Sequence, residues 1–202
     1  MGFRAFRVAA AAALALTAIP AAAQQFSDGY EFLKAVRDSD GAKVNKFLLD
    51  RSLRIVNTKD RGTGEGAIHI VARRSDAAYL RVMLQADDSN PNLQDNRGNT
   101  ALIVAVEQNW SEGVGILIKY GANANLANSS GETPLIRAVQ MHNADIVRQL
   151  LDAKADPDRA DYGSGKSARD YARENTRYPN IAKLLAEAPK KGQKAPSRPS
   201  SN

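Results

Sequence analysis

The sequence has no cysteine, one tryptophan and two histidines in 202 residues. Without cysteine there is no disulfide, no thiolate zinc site, no thiol nucleophile and no lipid-modified cysteine anchor. Aromatic residues make up 6% of the chain. With so few large rings and so much alanine, close-packed helices are expected rather than aromatic-filled sheets. Patterns for chemistry are missing too. There is no Gly-x-Ser-x-Gly nucleophile turn. His69 and His142 have no neighbouring histidine or carboxylate at metal-ligand spacing. Asp87-Asp88-Ser89-Asn90 is acidic but lacks the spacing of a calcium loop. Gly163-Ser164-Gly165-Lys166-Ser167 looks like the end of a phosphate-binding loop. That motif needs a glycine where Ala160 stands, and a hydrophobic strand where Asp156-Pro157-Asp158-Arg159 stands. No catalytic residue, cofactor or metal ligand is therefore expected.

Charge has no concentration in the middle of the chain. Of the 28 lysines and arginines, two (Arg4 and Arg7) lie in residues 1–23 and four (Lys190, Lys191, Lys194 and Arg198) in residues 190–202. The 22 left are matched by all 22 acidic residues, so the net +6 comes from the two ends. A nucleic-acid binder should carry a basic stripe on its folded face. On count alone this chain does not, and no nucleic-acid partner is expected.

What is present begins with a leader. Arg4 and Arg7 open it, an apolar run from Val8 to Ile19 follows, and Pro20 precedes the small-x-small pattern Ala21-Ala22-Ala23. The run is too short for a bilayer core, which needs ~20 residues. This is the pattern of a secretory signal peptide over residues 1–23, with a mature chain starting at Gln24. No second spanning segment follows. The expected location is the periplasm or the medium, without stable membrane insertion after cleavage.

The organising stretch is Gly131-Glu132-Thr133-Pro134-Leu135, with Asn128 three residues before the glycine. It reads as a tight turn feeding a helix, with Thr133 as N-cap and Pro134 at the first helical position. It recurs. Gly64, Gly98, Gly131 and Gly165 head related stretches at spacings of 34, 33 and 34 residues. Apolar helix cores follow at Leu80 to Leu84, Val114 to Ile118, Ile146 to Leu151 and Ile181 to Leu185. Helix stops such as Tyr120-Gly121 and Asp156-Pro157 follow the second and third of them. This pattern resembles the ankyrin repeat, a turn and two antiparallel helices in a period near 33. The resemblance implies an all-α solenoid of stacked helix-turn-helix units joined by hairpin-like turns. Copy three fits best. Gly66 and Ala67 replace the family's threonine and proline in copy one, while Ile103 and Ile136 replace its histidine in copies two and three. No copy has both, so the family's threonine–histidine hydrogen bonds are expected to be missing. Gly113 and Gly115 should weaken the second helix of copy two by up to ~1 kcal/mol each relative to alanine.

The expected layout is a repeat domain over 24–188. It comprises an N-terminal cap at 27–57, repeats at about 58–92, 93–125 and 126–158, and an atypical C-terminal cap repeat at 159–188. Residues 189–202, rich in Pro, Ser, Lys and Gly, are expected to be a disordered basic tail.

Family resemblance places binding on the concave face, at turn tips and the ends of the inner helices. In register those positions are Thr63, Glu65, Arg73 and Arg74 in copy one, and Asn96, Arg97, Asn99, Glu107 and Gln108 in copy two. Copy three supplies Ser129, Ser130, Glu132, Gln140 and Met141, and copy four Ser164, Lys166, Glu174 and Asn175. Trp110 either packs between helices or offers a half-exposed anchor. The expected function is a monomeric, exported, non-catalytic scaffold that binds an unidentified protein partner. The resemblance to periplasmic ankyrin proteins adds a link to peroxide defence. The alternative is a secreted effector or inhibitor acting on a target outside the cell, which fractionation would separate from a retained protein.

Overall fold

A computed structural model describes residues 21–189. Most of the expected leader and the expected basic tail lie outside the described residues. Ala21 to Ala23 open the first helix. Each repeat starts at its turn. Gly98 and Gly131 adopt φ of 75° and 78°, a left-handed conformation that side chains disfavour and glycine accepts freely. The chain then reverses and a threonine or serine caps the helix that follows. Thr100 Oγ1 accepts from the Ile103 N–H at 3.3 Å and Thr133 Oγ1 from the Ile136 N–H at 3.2 Å. Each satisfies one of the donors that a helix start leaves open.

The chain folds into ten helices among the described residues. The first of each pair are α1 (Ala21–Arg37), α3 (Ala67–Arg73), α5 (Ala101–Glu107), α7 (Pro134–Gln140) and α9 (Ala168–Glu174). Their partners are α2 (Gly41–Leu49), α4 (Ala77–Gln85), α6 (Ser111–Lys119), α8 (Ala144–Asp152) and α10 (Pro179–Glu187). The odd-numbered helices pack one on the next to form an inner row, and α4, α6, α8 and α10 form an outer row behind it. A helix of seven or nine residues is too short to persist alone in water. These persist because each buries apolar side chains against both its own partner and the next repeat. Leu80, Leu102, Ile103, Leu117, Leu135, Ile136, Ile146, Leu150 and Ile181 are fully buried, each contributing about 1.5–3 kcal/mol. The core is a slab that runs from Phe32 to Leu185 without a break.

Two local expectations are revised by the packing. The threonine–histidine tie is indeed absent as a side-chain pair, but substitutes stand in its place. In copy one, which has no threonine, His69 Nδ1 accepts directly from the Gly66 N–H at 3.1 Å. In copy four, Asp170 accepts from both the N–H and the hydroxyl of Ser167, at 3.0 and 2.6 Å. Gly113 is also more than a weak spot. A β-carbon there would stand 2.0 Å from Cε3 of Trp110. Trp110 is half-buried against the core, with its ring over that glycine. Trp110 thus packs on the core while part of it stays accessible, and the cost of the glycine is offset by the ring it admits.

Candidate protein-binding surface

The inner row presents two positions per repeat, eight residues apart: one in the turn and one at the end of the helix. They are Glu65 and Arg73, Asn99 and Glu107, Glu132 and Gln140, and Lys166 and Glu174. In copy one the Arg73 guanidinium donates to Glu65. In copy four Lys166 Nζ donates to Glu174 at 2.8 Å and lies over the Tyr171 ring, 5.8 Å from its centroid. Between them Arg137 spans two repeats. It reaches Glu107 at 2.7 Å, Glu132 at 3.4 Å and the Gln140 amide oxygen at 3.3 Å. The inner face is thus lined by ion pairs that are largely closed on themselves. Beside it, Val139, Gln140, His142, Tyr171, Glu174 and Asn175 line a recess of about 390 Å3. Its wall is fixed by His142, whose ring stacks on Tyr178 with centroids 4.0 Å apart and bonds Asn175 at 2.7 Å.

The turns form a second continuous feature. The Asn96 N–H donates to the Thr63 carbonyl at 3.0 Å, Ser129 to Arg97 at 2.9 Å, and Tyr162 to Ser130 at 2.9 Å. Each turn is held to the next through its backbone, and the Thr63, Asn96 and Ser164 side chains add bonds within and between the turns. Thr63, Asn96, Arg97, Ser129, Ser130 and Ser164 are exposed at these tips. Exposed Gln108 and Met141, the latter 44% accessible, close the inner helices of copies two and three.

Two of the expected residues are placed otherwise. Asn99 is buried, and its amide is engaged within the turns by Asp95 at 3.5 Å and Asn128 at 3.1 Å. It sits beneath the surface and offers a partner no free face. Arg74 is half-buried and holds copy one to the cap, donating to the Val36 carbonyl at 2.5 Å and to Asp76 at 3.2 Å. Glu65, Glu107, Glu132, Gln140 and Lys166 are half-buried members of the ion-pair row, and Arg73 is its exposed end.

Sequence reasoning passed over Arg137 and Tyr162. The signal for Arg137 was its register. The equivalent positions are Ile70, Val104 and Tyr171, so a charge there interrupts an apolar column and has to find partners. Tyr162, 73% exposed at the tip of copy four, covers Gly131 of the preceding turn.

The same turns set the response to pH. His69 is fully buried, and its Nε2–H donates to the Asn99 carbonyl of the next repeat at 3.0 Å. The bond that Nδ1 accepts from the Gly66 N–H requires the neutral ring. Burial lowers its pKa, partly opposed by the Asn99 carbonyl. The unfolded chain therefore takes up the proton first as pH falls. Stability contributed by His69 is complete above about pH 6.5 and is lost below it, by up to ~1.4 kcal/mol per pH unit until the folded pKa is reached. Urea unfolding between pH 7.5 and pH 5 should show this decline, and His69→Gln should flatten it. A second window is separate. The Thr63 N–H, the Arg37 guanidinium and the Gly62 N–H lower Asp60 to about 2, so its contribution is lost only as pH falls from about 4 towards 2.

The family model for ankyrin repeats, in three copies, matches the chain at residues 32–128, 68–161 and 112–195. The chain belongs to the ankyrin-repeat family. Curated relatives are distant. BCL-6 corepressor-like protein 1 of Homo sapiens is 30% identical over 117 residues, 58% of this chain and 6% of that protein. The E3 ubiquitin-protein ligase KEG of Arabidopsis thaliana is 30% identical over 112 residues, 54% of this chain and 7% of that protein. The chain spans less than a tenth of either. Ankyrin repeats are generally non-catalytic scaffolds for contact between proteins. Among the described residues no helix is long and apolar enough to cross a membrane.

Proposed function

We propose that this protein is an exported, monomeric scaffold that holds a partner protein on its inner face and performs no chemistry of its own. The observation that carries the reading is the inner face itself. Its charges are closed into the pairs Glu65–Arg73, Glu107–Arg137–Glu132 and Lys166–Glu174. Gln108 and Met141 stand exposed beside them. Such a face is rigid and mostly neutral, and it suits a partner that brings hydrogen bonds and one or two apolar anchors. The proposed location, periplasmic or secreted, rests on the leader pattern of residues 1–23. A part in peroxide defence rests on family resemblance alone.

The test is affinity capture with crosslinking from periplasmic extract. A single stoichiometric protein should be recovered with the parent chain. Its recovery should drop at least tenfold with Gln108→Ala and Met141→Ala together, while circular dichroism stays unchanged. Both side chains are exposed, so the substitutions leave the core intact. Absence of any stoichiometric partner would sink the reading.

A further inference from the structure

The chain's charges look evenly mixed in the sequence, yet the fold sorts them by sign along one edge. The four turn segments, 58–66, 93–100, 126–133 and 159–167, contain ten charged residues. Every acidic one is buried or half-buried, and the four that are exposed are all basic: Lys59, Arg61, Arg97 and Arg159. The cause is turn chemistry. Carboxylates fold back to accept the turn's own N–H groups. Asp95 accepts from the N–H groups of Arg97 and Asn99, both at 2.8 Å. Asp161 accepts from the Ser164 N–H at 2.6 Å and the Tyr171 hydroxyl at 2.7 Å. Burial works to raise the Asp161 pKa, and those bonds outweigh it, so the group stays ionised. Asp60, Asp95 and Asp161 are drawn inward by the backbone, and Glu65 and Glu132 by Arg73 and Arg137. The bases stay exposed, Arg159 while donating to the Asn125 carbonyl at 2.7 Å.

Resting on the protein-binding reading above, we infer that this edge receives an extended, acidic segment of the partner protein, laid across the turn tips. Spacing favours a polypeptide over a nucleic acid. Stacked repeats stand about 10 Å apart. Copy one's turn segment carries Lys59 and Arg61, copy two's Arg97, copy three's no base and copy four's Arg159, so the exposed bases average about one per 10 Å along the edge. An extended peptide rises ~3.3 Å per residue, so an acidic residue at every third position brings a carboxylate past each repeat that carries an exposed base. Duplex DNA carries a charge every ~1.7 Å, about six times too dense. Its surplus phosphates would lie above the inward-facing aspartates. Arg97 is the centre of the row, since its side chain is 73% exposed and its nearest carboxylate, Asp95, is 4.0 Å away.

The probe is a fluorescein-labelled twelve-residue peptide with aspartate at every third position and serine and glycine between. The control carries asparagine in place of aspartate. By fluorescence anisotropy at low salt, the aspartate peptide should bind at least tenfold more tightly than the control, and the difference should shrink as salt is raised. Combining Lys59→Glu, Arg97→Glu and Arg159→Glu should lower its affinity by about tenfold or more, with an unchanged thermal melt. The Gln108→Ala and Met141→Ala variant should bind it as the parent does. Equal binding of both peptides, no binding of either, no effect of the three reversals, or tighter binding to duplex DNA of equal charge would each overturn the inference. A partner captured from extract whose binding ignores the three reversals would overturn it while leaving the scaffold reading standing.

Discussion

Gly98→Ala should destabilise the protein by about 3 kcal/mol, whereas Gly165→Ala should cost about 1 kcal/mol. The two glycines have the same place in the repeat and nearly the same backbone, with φ of 75° and 68°. A side chain at either meets the left-handed penalty, about 1–2 kcal/mol. The surroundings differ. A β-carbon on Gly98 would lie 2.6 Å from the Ser129 nitrogen and 3.1 Å from the Asn128 carbonyl carbon. Those atoms are backbone, and the Ser129 N–H is held by the Arg97 carbonyl at 2.9 Å. They cannot yield without separating two turns, which adds overpacking strain of about 1–3 kcal/mol. Above Gly165 nothing stands within 4 Å among the described residues. Chemical unfolding of the two variants side by side separates backbone strain from turn-on-turn packing. Equal losses would mean that the turn ladder contributes nothing.

Arg169→Met should cost about 2–4 kcal/mol, and the loss should be confined to the last repeat. Arg169 is 5% exposed. Its guanidinium donates to the Leu185 carbonyl, to the Ala188 carbonyl at 3.3 Å, and to Asp158 at 2.7 Å. Leu185 and Ala188 belong to the end of α10, where a helix leaves carbonyls without intrahelical donors. Methionine keeps much of the volume and removes every donor. Asp158 is partly exposed and can turn to water, so Asp158→Asn should cost about 1 kcal/mol or less. Hydrogen exchange is the readout. Amides of α9 and α10 should exchange faster in Arg169→Met while those of α5 and α7 hold. A uniform acceleration along the chain would contradict local capping.

The fold was legible because its signals share one phase. The glycine, the cap, the apolar helix core and the helix stop recur together, and coincidence in one of them cannot imitate the rest. The surface was less legible, because register tells where a residue sits and not what its side chain is already holding. Asn99 occupies a binding position by register, but the close stacking of turns places it under Asn128. Arg74 has a binding position by register too, but α1 ends beside it and its guanidinium donates to the Val36 carbonyl. The charge sorting was hidden for a related reason. Asp95 and Arg97 are two residues apart and cancel in any count, yet the turn buries one and exposes the other. Only Arg137 left a mark, as a charge in a column that reads Ile70 and Val104 in the copies before it.

The turn ladder sets no limit on the length of the molecule. A closed core fixes its own size, since every face meets another. Here each turn meets only the one before and the one after, and among the described residues nothing covers Gly165 of the last. A further unit joined after Asp158 would find the same glycine, the same carbonyl and the same apolar slab to settle on. In this architecture, reach is a heritable quantity that duplication of a single 33-residue segment can change by repeating the kinds of contact the chain already makes.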